Sequence, residues 1–163
     1  MTADSALARA RELFLRDDNL YGCAETTCVV LLEAFGLGGE QDAALCMALN
    51  GGVAWRGWVC GAISGAAIAL GRLAASRISD HKEAKRVSRA LINHFIDEFH
   101  AAFGCTNCRD LIGLDIRDPA QHARFIEGGI WREVCMRQIE FAVRRLALLA
   151  NADEWECAVP ESE

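Results

Sequence analysis

The sequence is poor in whatever interrupts or replaces helices. Pro119 and Pro160 are its only prolines, so little breaks an i→i−4 hydrogen-bond ladder. No run of alternating β-branched residues bounded by turn signals occurs, which argues against a sheet-based fold. No stretch reaches the roughly 20 apolar residues needed to cross a bilayer. The best candidate, residues 57–71, is closed at both ends by Arg56 and Arg72. No basic face stands out either. With 17 basic against 23 acidic side chains and a net charge of −6, nucleic acid is not an expected partner. The run KEAKRVSR at 82–89 mixes its charges with acidic and apolar residues and reads as a solvated helix face. The start, MTADSALARARELF, is amphipathic rather than a basic stub followed by an apolar core. No signal peptide is therefore expected, and the protein is read as cytoplasmic.

What is present is helical periodicity. A chain of 163 residues, 52% of them hydrophobic, suits one domain with a full core. Amphipathic patterning predicts helices at 4–16, 22–36, 40–50, 58–77, 80–103, 105–113 and 130–150, with another short piece opening at Asp118-Pro119. Val87, Leu91, Phe95, Phe99 and Phe103 recur every four residues and mark a buried stripe on the longest helix. The expected fold is an all-α, single-domain bundle of about six to seven helices over residues 1–150. Residues 151–163, NADEWECAVPESE, read as an acidic and mobile tail.

Eight cysteines are the chemical signal. Structural disulfides are rare in a reducing compartment, so the thiols point to metal ligation or redox work. The one CxxC, Cys105–Cys108, lies between predicted helices and lacks a βαβ context. Arg109 stands where c-type haem attachment needs His. Cys23, Cys60 and Cys108 each fall at a predicted helix start, where unpaired N–H groups and the helix dipole favour a thiolate. Cys135 falls inside the last helix, on the face of Ile139, Ala142 and Leu146. Four cysteines from four segments can thus converge in the interior of a bundle. Cys28 is about 140° around a helix from Cys23 and groups with Leu31, Leu32 and Phe35, so it reads as core packing. Cys46, between Leu45 and Met47, reads the same way, and Cys157 in the tail is given no role.

The helix after Cys60 is lined by Gly61, Gly65 and Ala69, one residue per turn. Two interior glycines cost helix stability. They imply either a closely packed helix or room for a cofactor beside Cys60. Trp55, Arg56 and Trp58 in the loop GGVAWRGW either line a pocket for an anionic or planar partner or pack on the bundle edge. That loop does not match a phosphate-binding glycine loop, and Ser64 has no strand before it to form a nucleophile elbow. His94 and His100 lie near one face of the long helix and are candidates to flank a site; His81 and His122 complete the set.

Cys23, CGAISG at 60–65, NCRDLIG at 107–113 and Cys135 together resemble the C_GCAxxG_C_C family, named for its four-cysteine pattern. The loop GGVAWRGWVCGA and the phrase EFHAAFGCTNCRDLIG extend the likeness over roughly residues 20–148. The resemblance implies an all-helical redox-active protein. It also implies a likeness to the non-haem part of split-Soret cytochromes, with an iron–sulphur centre and a homodimer. On that basis Cys23, Cys60, Cys108 and Cys135 are the expected cofactor and metal ligands. Cys105 departs from the family pattern and is a candidate spare ligand or disulfide partner. Electron transfer to a redox partner protein is the function so implied. The alternatives are a metal-free thiol–disulfide protein and a zinc-binding or helical interaction module.

Overall fold

The computed structural model describes residues 1–160, and these form a bundle of eight α-helices and shorter helical turns. The helices are α1 (Ala3–Phe14), α2 (Cys23–Phe35), α3 (Gly61–Arg77), α4 (His81–Phe103), α5 (Cys108–Ile112), α6 (Pro119–Glu127), α7 (Met136–Leu146) and α8 (Ala152–Ala158). Among the described residues no strand occurs; one isolated antiparallel bridge joins Val59 and Asn107. Among the described residues no helix is long and apolar enough to cross a membrane.

α2 is the axis of the bundle. Every residue from Ala24 to Leu32 is buried, so this helix is covered all round rather than on one stripe. Its start is fixed by Glu25, whose carboxylate accepts the Gly22 N–H at 2.8 Å. It ends at Gly36, whose φ of 69° needs a residue without a Cβ penalty. α3 crosses α2 on the small-residue face anticipated from the sequence. A methyl group on Gly65 would overlap the Ala24 carbonyl oxygen and lie 3.1 Å from the carbonyl carbon. Close helix packing, rather than open space, is what the glycines serve. α4 closes the bundle with its predicted stripe, where Phe95, Phe99 and Phe103 meet Phe141 of α7 at centroid separations of 5.4–6.0 Å.

Two parts differ from the sequence reading. Residues 40–50 form two 3₁₀ turns, Glu40–Leu45 and Met47–Leu49, rather than one α-helix. Their buried residues, Ala43 and Cys46, are three apart while Leu45 and Met47 are exposed, which suits three residues per turn. Of the stretch 151–163 read as a tail, residues 161–163 lie outside the described residues. The Asn151 side chain accepts the N–H groups of Asp153 and Glu154 and starts α8. Trp155 is then buried beneath the Arg77 guanidinium, 4.9 Å from the ring centre.

Candidate functional site

Three of the four cysteines stand where helices begin. Cys23 is the first residue of α2, Cys60 is the N-cap of α3, and Cys108 opens α5 after its N-cap Asn107. Backbone pairing brings the last two together. The Cys60 N–H donates to the Thr106 carbonyl at 2.8 Å, and the Cys108 N–H donates to the Trp58 carbonyl at 2.6 Å. This short ladder around Val59 and Asn107 clamps the entry of α3 to the entry of α5. The α2–α3 crossing adds Cys23, whose sulphur lies against Gly61. Cys135 arrives from the far end of the chain, as the last residue of a π-helical turn, Trp131–Cys135, that leads into α7. Such turns insert one residue into a helix and recur at functional sites. Cys60, Cys108 and Cys135 all lie close enough to Cys23 to feel its charge.

Beside these cysteines is a pocket of about 370 Å³ that opens to solvent. Cys23, Cys108 and Cys135 line it, with Phe14, Trp131, Phe125 and Trp55 among its walls. Cys60 lies behind this lining, 2% exposed. Its S–H donates to Oε1 of the buried Gln138, 3.4 Å away. Among the described residues, no Lys, Arg, Asp or Glu lines the pocket; His122 is the one imidazole at its wall. The His122 Nδ1 is 3.1 Å from the Ile116 carbonyl, and the ring stacks on Trp55 at 4.6 Å.

The loop before Cys60 is built in an unusual backbone. Gly51, Gly52, Val53, Ala54 and Trp55 all have positive φ, between 50° and 68°. Five consecutive left-handed residues make a left-handed turn, which costs roughly 1–2 kcal/mol for each residue carrying a Cβ. The turn is held by bonds back to the preceding segment, including Ala54 N–H to the Ala48 carbonyl at 2.8 Å. It delivers Trp55 to His122 and Gly51 to the Cys23 sulphur. Exposed Ala54 makes a clean test. Ala54→Gly is expected to raise stability by about 0.5 kcal/mol, the strain released less the added unfolded-chain entropy. A higher urea midpoint with an unchanged slope would show it.

Asn50 ties this loop to the cysteines. Its Oδ1 accepts the Ala24 N–H at 2.9 Å, and its Nδ2 donates to Glu25 Oε2 at 2.7 Å. Neither Asn50 nor Gln138 stood out in the sequence. Asn50 was visible only as part of the breaker Asn50-Gly51-Gly52, and a lone Gln on an apolar helix face carries no motif. Glu25, three residues after Gly22, is the one local signal that points to this helix start.

Helix starts lead one to expect lowered thiol pKa values, and the structure reverses the sign. Burial pushes the thiols of Cys23, Cys60 and Cys135 up, Cys60 and Cys135 well above the ordinary value. Burial likewise pushes Cys108 up to about 12. Backbone N–H groups do oppose the shift. Gly51, Ala24 and Gly61 act on Cys23, while Ala62 and Ile63 act on Cys60. Desolvation outweighs them because no side-chain cation lines the site. Above the ordinary thiol value of 9.0 the unfolded chain loses protons that the folded metal-free protein keeps. Stability is therefore complete below that pH and falls as pH rises from it towards 12. Each such thiol adds up to about 1.4 kcal/mol per pH unit. Urea titrations of metal-free protein from neutral to alkaline pH would show this loss, reduced in Cys108→Ser.

The remaining candidates lie elsewhere. The Cys105 thiol is half-buried, faces the Phe103 carbonyl at 4.0 Å and has Asp110 as its charged neighbour. It is not among the residues lining the pocket. His81, His94 and His100 are exposed on α4, with His94 3.5 Å from Glu98. Arg56 lies over the Trp58 ring at 5.9 Å on the surface, while Trp55 alone of the three lines the pocket. Cys157 is exposed on α8. Among the described residues, no three His, Cys, Asp or Glu side chains are gathered around a point as ligands of one metal ion would be.

Residues 21–149 match a protein-family model described as "Putative redox-active protein (C_GCAxxG_C_C)". No curated protein and no solved structure matches the chain.

Proposed function

The chain belongs to the C_GCAxxG_C_C family, and from that premise we propose that it holds an iron–sulphur cluster through Cys23, Cys60, Cys108 and Cys135 and serves electron transfer. The observation that carries the reading is that Cys23, Cys108 and Cys135 line one uncharged pocket while buried Cys60 lies within electrostatic reach of Cys23 and Cys108. The donor set suits the group: thiolates are the usual ligands of such clusters. A pocket without side-chain cations leaves four thiolates in need of positive charge from iron. The N–H groups of Gly51, Gly61, Ala62 and Ile63 near the sulphurs supply hydrogen bonds of the kind that set cluster potentials. When bound, the cluster supplies a one-electron couple.

Each side chain then has a task. Gln138 turns its amide so that an N–H faces the Cys60 sulphur once that thiol has lost its proton. Asn50 and Glu25 hold the start of α2, and so Cys23, in place. Trp55 and Trp131 keep water from the thiols on the open side.

Iron and sulphide analysis with a visible spectrum, on anaerobically prepared protein, tests the reading. Wild type is expected to show a broad visible band that bleaches on reduction. Cys60→Ser is expected to lose most of it, and Cys105→Ser to keep it. Wild-type protein free of iron after reconstitution would overturn the reading in favour of metal-free thiol–disulfide chemistry in the same pocket.

A further inference from the structure

The pocket beside Cys23, Cys108 and Cys135 is walled largely by rings. Phe14 and Trp131 meet edge to face, with centroids 5.4 Å apart and planes at 76°. A second group sets the His122 ring against Trp55 at 4.6 Å and Phe125 at 6.5 Å. The volume of about 370 Å³ falls in the range of roughly 300–1,000 Å³ usual for small-molecule sites. Core packing does not account for Trp55. It is 48% exposed, so burial offsets little of the strain in its left-handed backbone, with φ at 64°. A half-exposed indole at the wall of an open pocket is a surface that a second ring would cover.

The polar atoms narrow the choice of ligand. Asn19 is exposed. Asn50 is committed to Ala24 and Glu25, and the Tyr21 hydroxyl donates to Glu40 at 2.7 Å. His122 differs. The Ile116 carbonyl can only accept, so Nδ1, 3.1 Å away, carries the hydrogen of the neutral imidazole. Nε2 is then an acceptor, and it has no hydrogen-bond partner among the described residues. Among those residues no Lys, Arg, Asp or Glu lines the pocket, so an ionised ligand would lose its hydration without gaining a partner.

We propose that this pocket binds a small, neutral, planar aromatic alcohol, with its ring among Trp55, Phe125, Phe14 and Trp131 and its hydroxyl donating to Nε2 of His122. Flat rings suit these walls, because offset and edge-on contacts with indole and phenyl groups add to burial. The inference goes beyond electron transfer and does not rest on it, since none of these groups is a cysteine. With Cys23, Cys108 and Cys135 lining the same pocket, the bound ring lies beside the thiols.

Calorimetric titration of the anaerobically prepared chain with naphthol tests the proposal. One molecule per chain is expected to bind. Methoxynaphthalene keeps the rings but lacks the O–H donor, and is expected to bind about tenfold more weakly, the worth of one hydrogen bond. Naphthoate, which is charged, and decahydronaphthol, which is puckered, are expected to bind more weakly than naphthol as well. His122→Phe keeps a ring at the wall and removes the acceptor. Naphthol is expected to weaken about tenfold in it, to the level of the ether, while the ether is unchanged. Ile126 lines the pocket from α6 at 37% exposure. Ile126→Trp therefore suits the fold, and is expected to abolish binding of both compounds by filling their space. Both variants are first checked for native helicity. Iron and sulphide assayed on the same samples report on the cluster independently of the binding isotherm. Absence of naphthol binding to wild type would overturn the proposal. So would a preference over the ether that survives His122→Phe. Equal binding of naphthol and ether, unchanged in both variants, would overturn it too, placing both on exposed apolar side chains such as Trp58 and Met47.

Discussion

Gly65→Ala is expected to lower the stability of the fold by about 3 kcal/mol, the upper part of the ordinary range for overpacking. The readout is a lower urea midpoint with an unchanged slope. The added methyl meets backbone rather than a movable side chain. It overlaps the Ala24 carbonyl oxygen and sits 3.2 Å from the Ala24 Cα. Relief requires α3 to move away from α2, and both helices are buried along this line, with Ala24, Ala62, Ala66 and Ala69 all at 0% exposure. Helix propensity alone would make Ala the better residue by about 1 kcal/mol, so a stabilised variant would show that the crossing is looser than described. Gly71, on the same helix, supplies the contrast. A methyl group there meets only Ser88 Oγ at 3.9 Å, and Gly71→Ala is expected to follow propensity.

Gly61→Ala is expected to cost a similar amount, about 3 kcal/mol, and in addition to disturb the thiols. Its methyl overlaps the Cys23 sulphur and comes within 2.8 Å of the Ala24 N–H nitrogen. That nitrogen donates to Asn50, so α2, the Cys23 side chain and the Asn50 cap are pressed together. The two variants separate packing from chemistry. Both lose stability, but Gly61→Ala is expected to lose most of its iron loading as well, while folded Gly65→Ala keeps more of it. Equal retention of iron in both would mean that Cys23 is not needed as a ligand.

Much of the fold was legible because its signals are local. The stripe from Val87 to Phe103 and the helix start at Asp118-Pro119 each act within one or two turns, and each stands where the pattern placed it. What was misread depends on partners distant in sequence. The segment 40–50 has enough apolar residues for an α-helix, but Ala43 and Cys46 must reach α2 three residues apart. Trp155 docks on α3 through Arg77, which a count of acidic residues in the tail does not reveal. The left-handed turn at Gly51–Trp55 defeats local reasoning most directly, since Val53, Ala54 and Trp55 disfavour its backbone.

The placement of the cysteines was legible in the sequence, and their electrostatics were misread. The positions of Cys23, Cys60 and Cys108 at helix starts followed from breakers and caps in their own neighbourhoods. The prediction of easily formed thiolates failed because dipoles compete with desolvation, and desolvation is set by walls contributed from α1, α6 and the π-helical turn.

The route of the chain through the site also sets a clock. Cys23 leaves the ribosome early and Cys135 last of the four, on the order of ten seconds later at ordinary rates of synthesis. Until the segment from Trp131 to Leu146 has emerged and docked α7 against α1, the half-made chain carries thiols with no pocket around them. A nascent chain is thus a set of reactive sulphurs awaiting its final third. The delivery of any metal is a step that follows translation, and an N-terminal fragment ending before Cys135 is a dead end for it.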